Sequence, residues 1–174
     1  ATTVEVREGT AATLNSVYAG SASIGSDGIS GLGNEAVTVT DTTASAADLV
    51  TLDGNTAGTI DASAVNTLSG SVDDANLVYA SNGFTGLGAE SVTLSDTSLA
   101  DVATLNTLNG YTTGNINAGT INTLSGSISE LNTAYAAGAE FGNGISGLGN
   151  ESITVSDNGT ITDVSTLATL NGYT

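Results

Sequence analysis

ISGLGNEAVTVTD, residues 29–41, is written into this chain three times. It returns as FTGLGAESVTLSD at residues 84–96 and as ISGLGNESITVSD at residues 145–157. Each copy holds a glycine-leucine-glycine corner (Gly31, Leu32, Gly33; Gly86, Leu87, Gly88; Gly147, Leu148, Gly149), then a glutamate (Glu35, Glu90, Glu151), then an alternating run closed by an aspartate (Asp41, Asp96, Asp157). Alternation of β-branched residues at period two, as in Val37-Thr38-Val39-Thr40 and Ile153-Thr154-Val155-Ser156, predicts short strands with Val and Leu on one face and Thr and Ser on the other. A motif that recurs in this way speaks to architecture before chemistry.

Working outward, NTLSGS occurs at residues 66–71 and 122–127, and TLNGYT at 107–112 and 169–174. Residues 1–174 therefore form a single repeat domain: a half repeat at 1–28, repeats at 29–83 and 84–144, and a half repeat at 145–174. The first half repeat matches the second half of the unit, since Tyr18 falls where Tyr79 and Tyr135 fall and Gly9 where Gly70 and Gly126 do. Each unit divides again into similar halves, as residues 92–105 (VTLSDTSLADVATL) and 121–135 (INTLSGSISELNTAY) show. The plan is strand, corner, second strand, turn, short helix. It gives six tandem strand-helix modules of about 25 to 31 residues, within the range of solenoid repeats.

Helix starts are marked by Ser45…Asp48, Ser71…Asp74, Ser98…Asp101, Ser127…Glu130 and Thr160…Asp163. In each, the hydroxyl accepts from a first-turn amide while the acid answers back and meets the positive helix end. Apolar residues follow at helical spacing: Ala11, Leu14, Tyr18; Val72, Ala75, Tyr79; Ile128, Leu131, Tyr135; Val102, Leu105, Leu108; Val164, Leu167, Leu170. Asp53-Gly54, Asn109-Gly110 and Asn171-Gly172 read as helix stops with glycine left-handed. Helices this short are marginal alone and need packing against strands. Stacking equivalent strands about 4.8 Å apart makes a parallel sheet with a Val/Leu inner ladder, and six rungs a rod about 25 to 30 Å long. Strand-helix-strand connections of this kind are right-handed. The expected fold is a right-handed α/β solenoid, with strands on one or two faces and short capped helices on another.

The composition excludes several functions. Eighteen acidic residues face a single basic one, Arg7, and there is no His, Cys, Met, Trp or Pro. A net charge of -17 opposes nucleic acid and anionic membrane surfaces. The periodic 39% of apolar residues argues for folding rather than disorder. No stretch reaches the roughly 18 apolar residues of a membrane span, and the N-terminus has no signal-peptide pattern. The absence of cysteine fits export across a bacterial envelope without oxidation.

Stacked strands would align Asp41, Asp96 and Asp157 along one edge, with Glu35, Glu90 and Glu151 before them. Calcium is the ion such carboxylates would take, since a hard cation wants several oxygens. The same positions equally suit aspartates closing Asx-type turns beside solvated glutamates, and no EF-hand loop or glycine-rich calcium nonapeptide is present. Asn66 and Asn122 align with Val37, Val92 and Ile153, which predicts inward-facing amides bonded to backbone at a turn. Thr38/Thr40, Thr67/Ser69, Thr93/Ser95, Thr123/Ser125 and Thr154/Ser156 form a two-column hydroxyl array if the strands stack in register. Such arrays resemble those of ice-binding β-solenoids, although β-branched Thr also suits any exposed strand. Carboxylates that repeat with the fold, with no histidine beside them, argue against an enzyme.

Blocks such as DLVTLDGNTAGTIDASAVNTLSGSVDDANLVYA (residues 48–80) and ISGLGNEAVTVTD resemble tandem repeats of very large secreted bacterial proteins, frequent in cyanobacteria and often accompanied by RTX calcium-binding segments. The resemblance runs from about Val4 to Thr174. It implies an extracellular or cell-surface location, type I-like secretion without a cleaved N-terminal signal, and a structural or adhesive role. It brings no catalytic residue or cofactor. The function expected is a structural repeat module of an extracellular bacterial fibre, surface layer or adhesin; the alternative is a binding module for ice, calcium or polysaccharide. Thr174 stops at the phase of Thr112 and Ala1 begins near that of Ala118. The expected partner is therefore another copy stacked head-to-tail, or neighbouring repeats of a longer chain.

Overall fold

A computed structural model describes residues 7–22, 32–138, 143–157 and 164–174. Six modules follow one another. The first has β1 (Arg7–Gly9) and α1 (Ala11–Ala22); the second β2 (Val37–Val39), β3 (Thr43–Ser45) and α2 (Ala46–Asn55); the third β4 (Ile60–Asp61), β5 (Thr67–Gly70) and α3 (Val72–Ala80). The fourth has β6 (Phe84–Thr85), β7 (Ser91–Leu94), β8 (Ser98–Leu99) and α4 (Ala103–Tyr111). The fifth has β9 (Asn115–Asn117), β10 (Thr123–Gly126) and α5 (Ile128–Gly138), and the sixth β11 (Gly144–Ser146), β12 (Ser152–Val155) and α6 (Val164–Asn171). The protein is thus α/β, in an arrangement compatible with a repeat fold.

Among the described residues the strands form three sheets, all parallel: β1-β2-β4-β6, β3-β5-β7-β9-β11 and β8-β10-β12. Each sheet takes one strand from each successive module. In the five-stranded sheet β3 leads directly into α2, whereas β11 is separated from α6 by β12. The sheets therefore drift upstream relative to the helices and overlap along the chain. Each helix packs on the next, from α1 through α6.

Pairing departs from the expected stacking of equivalent strands. A unit holds two modules, so the neighbour of a strand always belongs to the other half of the unit. Val92 of β7 lies between Leu68 and Ile116, and the ladder Ala44, Leu68, Val92, Ile116, Ile145 runs through the central sheet with every member at most 1% exposed. Burying each larger member contributes about 1.5 to 3 kcal/mol. Leu49, Leu52, Leu105, Leu108 and Leu131 close the core from the helix side.

This pairing also divides the expected hydroxyl array. Thr38 lies in the first sheet, Thr67, Ser69 and Thr93 in the second, and Thr123, Ser125 and Thr154 in the third. Asn66 and Asn122 precede their strands and face outward, donating to the carbonyls of Ala64 and Thr120.

Three of the expected serine caps form, and among the described residues the acid takes the cap amide in return at Ser127, which donates to Glu130 at 2.9 Å. The Asp48, Asp74 and Glu130 amides donate to Ser45, Ser71 and Ser127 at 3.3, 3.1 and 3.2 Å. Ser98 does not cap a helix. It lies in β8, held by Leu99 pairing with Leu124, and α4 begins at Ala103, whose amide donates to Asp101 at 2.9 Å. Thr160…Asp163 lies outside the described residues.

The glycine stops also differ. Helices α2 and α4 run through Gly54 and Gly110, and neither these nor Gly172 has a positive φ. The chain turns at Thr56 and Thr112 instead. Their hydroxyls donate to the carbonyls of Glu35 and Glu90 (2.8 and 2.7 Å) and accept from the amides of Gly58 and Gly114. A side chain at Gly58 or Gly114 would collide with the same Glu35 or Glu90 backbone, so glycine is required by close approach.

Candidate functional site: the repeated carboxylates

In every copy of the opening motif the glutamate folds back on its own corner. The amides of Gly33, Gly88 and Gly149 donate to Oε2 of Glu35, Glu90 and Glu151 at 2.7, 2.8 and 2.8 Å. The same oxygen accepts a tyrosine hydroxyl from the preceding helix: Tyr18 at 3.3 Å, Tyr79 at 3.0 Å and Tyr135 at 2.7 Å. The corner requires glycine, because Gly86 and Gly147 have φ of 86° and 88°, and Gly33, Gly88 and Gly149 of 129°, 125° and 139°.

Glu90 and Glu151 are buried and Glu35 half-buried, so these are not the solvated glutamates that the sequence also allowed. The Gly33 amide holds the Glu35 carboxyl below its ordinary range. Burial, reinforced by the neighbouring glutamates, pushes the hydroxyls of Tyr18, Tyr79 and Tyr135 up. Two of the tyrosines also stack on a ring from the next helix or the turn after it, Tyr79 on Tyr111 at 5.9 Å and Tyr135 on Tyr173 at 5.5 Å. Asn55 stands where Tyr111 does and donates to Asn15 at 3.1 Å.

The strand-closing aspartates do a different job. Asp41 Oδ2 accepts from the Ala11 amide at 2.7 Å, Asp96 from Val72 at 2.8 Å and Asp157 from Ile128 at 2.7 Å. These are the first residues of α1, α3 and α5, each in the module before the aspartate. Each carboxylate thus satisfies an otherwise orphan amide and meets the positive end of a neighbouring module's helix.

Glutamate and aspartate of one motif therefore bind separate backbone groups and are not brought together. Among the described residues no group of three or more His, Cys, Asp or Glu is placed to hold a metal ion. Other acids are used similarly: Asp61 accepts from the Ser63 amide, and Asp53 from the Ser81 hydroxyl. The amides of Ser63 and Ser127 hold the carboxyls of Asp61 and Glu130 below their ordinary range.

A second ladder went unread in the sequence. Asn15, Asn76 and Asn132 donate to the carbonyls of Asp48, Thr104 and Thr166 in the next helix at 2.9, 3.0 and 3.0 Å. Its signal was present, since asparagine stands three residues before Tyr18, Tyr79 and Tyr135 alike.

Comparison with protein-family models, with curated proteins and with solved structures finds no match for this chain. No helix among the described residues is long and apolar enough to cross a membrane.

Proposed function

We propose that this chain is a right-handed α/β solenoid serving as a structural repeat module of an extracellular bacterial fibre, surface layer or adhesin. The observation that carries the reading is the use of the repeated acids. Glu35, Glu90 and Glu151 fasten corners to preceding helices, and Asp41, Asp96 and Asp157 cap helices one module back. Chemistry that recurs at every unit and always joins neighbours serves extension rather than one reaction centre. A net charge of -17 and the resemblance to secreted bacterial repeats favour a cell-surface location in this reading.

Two experiments test it. Duplicating residues 84–144 within the chain should give a folded, longer protein whose circular dichroism per residue is unchanged; collapse of the fold would refute the modular architecture. Antibody raised against the chain should label the outer surface or surrounding matrix of the producing cells. Label confined to the cell interior would end the extracellular assignment.

A further inference from the structure

One exposed position can be followed through all six helices. Ser16, Thr51, Thr107, Thr133 and Thr169 occupy it in α1, α2, α4, α5 and α6, and each hydroxyl donates to the carbonyl four residues back at 2.8 to 2.9 Å. In α3 the position holds Leu77, which is 57% exposed. A lone exposed leucine is ordinary on a protein surface. This one has apolar company.

A second departure from the repeat lies beside it. Asn15, Asn76, Asn106 and Asn132 each donate to a carbonyl of the next helix, whereas α2 has Val50 at that position. Val50, Leu77 and Phe84 line a groove of about 330 Å³ between α2 and α3. Phe84 stands where the third copy of the motif has Ile145, yet Ile145 is buried and Phe84 only half-buried. On its other side Leu77 lines a groove of about 590 Å³ between α3 and α4, together with Ala103 and the 40% exposed Tyr111.

Carboxylates accompany these apolar residues. Asp53 borders the smaller groove, where α4 and α6 have Asn109 and Asn171. Asp73 borders the larger one, where α1 and α5 have Ala12 and Ser129, and Asp101 borders it from the α4 side. Arg7 is the only basic residue of the chain and lines neither groove.

We infer that this α2–α4 face is a docking site for another protein, taking a segment in which a bulky apolar side chain lies between lysines or arginines. The apolar side chain packs on Leu77 in the flanking groove, and the cations meet Asp53, Asp73 and Asp101. Charge complementarity selects this occupant. A second copy of the chain brings one basic residue against eighteen acidic ones and is repelled. Docking there requires neither extension of the array nor a cell-surface location.

The probe is a synthetic peptide with tryptophan and leucine between pairs of lysines. The chain has no Trp, so indole emission reports the peptide alone. The expected result is a saturable blue shift with the wild-type chain, weakened about tenfold or more by Leu77→Thr and by a smaller factor by Asp73→Ser. Both substitutions restore a residue that α5 carries at the same position, so circular dichroism should stay unchanged. A peptide with glutamates in place of the lysines should give no shift. Absence of a saturable shift with the lysine peptide, an equal shift with Leu77→Thr, or equal binding of the glutamate peptide would overturn the assignment. Self-association of the chain alone that Leu77→Thr abolishes would give the face to a second copy and overturn it as well.

Discussion

Glu90 shows how one side chain settles a corner. Its Oε2 takes both the Gly88 amide and the Tyr79 hydroxyl in a site that is 4% exposed. Replacing it by alanine strands two part-buried donors and should cost about 1 to 3 kcal/mol. Glu90→Gln keeps an oxygen in place and should cost less; urea melts that rank the two equally would contradict this geometry. The tyrosines set the alkaline limit. Their folded pKa values lie above the ordinary 10.0, so their contribution is full below pH 10 and is lost as pH rises through the raised values. The urea midpoint should therefore fall from about pH 10 upward, with a shallower fall in Tyr79→Phe. Phenolate absorbance showing all tyrosines titrating normally in the folded chain would refute it. Glu35 works in the opposite direction: its depressed pKa adds stability above the ordinary 4.5, lost as pH falls through the folded value. The sequence displayed the glycines and the glutamate of each corner. It hid the tyrosine partner, which lies 17 residues from Glu35 but only 11 from Glu90, so no fixed spacing announces the bond.

Element boundaries were legible where a local bond decides them. Ser45, Ser71 and Ser127 cap as read because hydroxyl and amide lie three residues apart. Ser98 offers the same local bond, yet pairing of Leu99 with Leu124 draws the segment into a sheet and leaves Asp101 to meet α4. Ser98→Ala should accordingly leave stability nearly unchanged, while Asp101→Ala lowers it; the reverse order in thermal melts would restore the capping box. The caps across modules were invisible, since Asp96 and Val72 are 24 residues apart in sequence. Asp96→Ala should destabilise the chain by about 1 kcal/mol, the usual size of a lost helix cap, measured as a shift in urea midpoint at constant slope. For the same reason calcium titration should leave that midpoint where it is. One oxygen of each repeated carboxylate already holds an amide, and a stabilisation that saturates with calcium would overturn this expectation.

Over the whole molecule, the sequence period gave the number of modules and the alternation gave the inner face. Likeness between repeats suggests that like strands stack, whereas two modules per unit make unlike halves neighbours. The environment of equivalent residues then varies along the array. Leu105→Ala, in the middle, should cost about 2 to 5 kcal/mol, and Leu167→Ala, where the side chain is 39% exposed, well under half as much. Equal losses in denaturant melts would mean that the last module is covered as fully as the fourth. The overlap of the sheets has a mechanical consequence. The first sheet ends at β6, in the same module where the third begins at β8, while the central sheet runs past both. Each joint between the second and sixth modules is therefore bridged by two sheets, and sheet ends are offset like courses of brickwork. Tension along the axis meets no plane at which all the strands stop together, so rupture has to shear one sheet while it peels another.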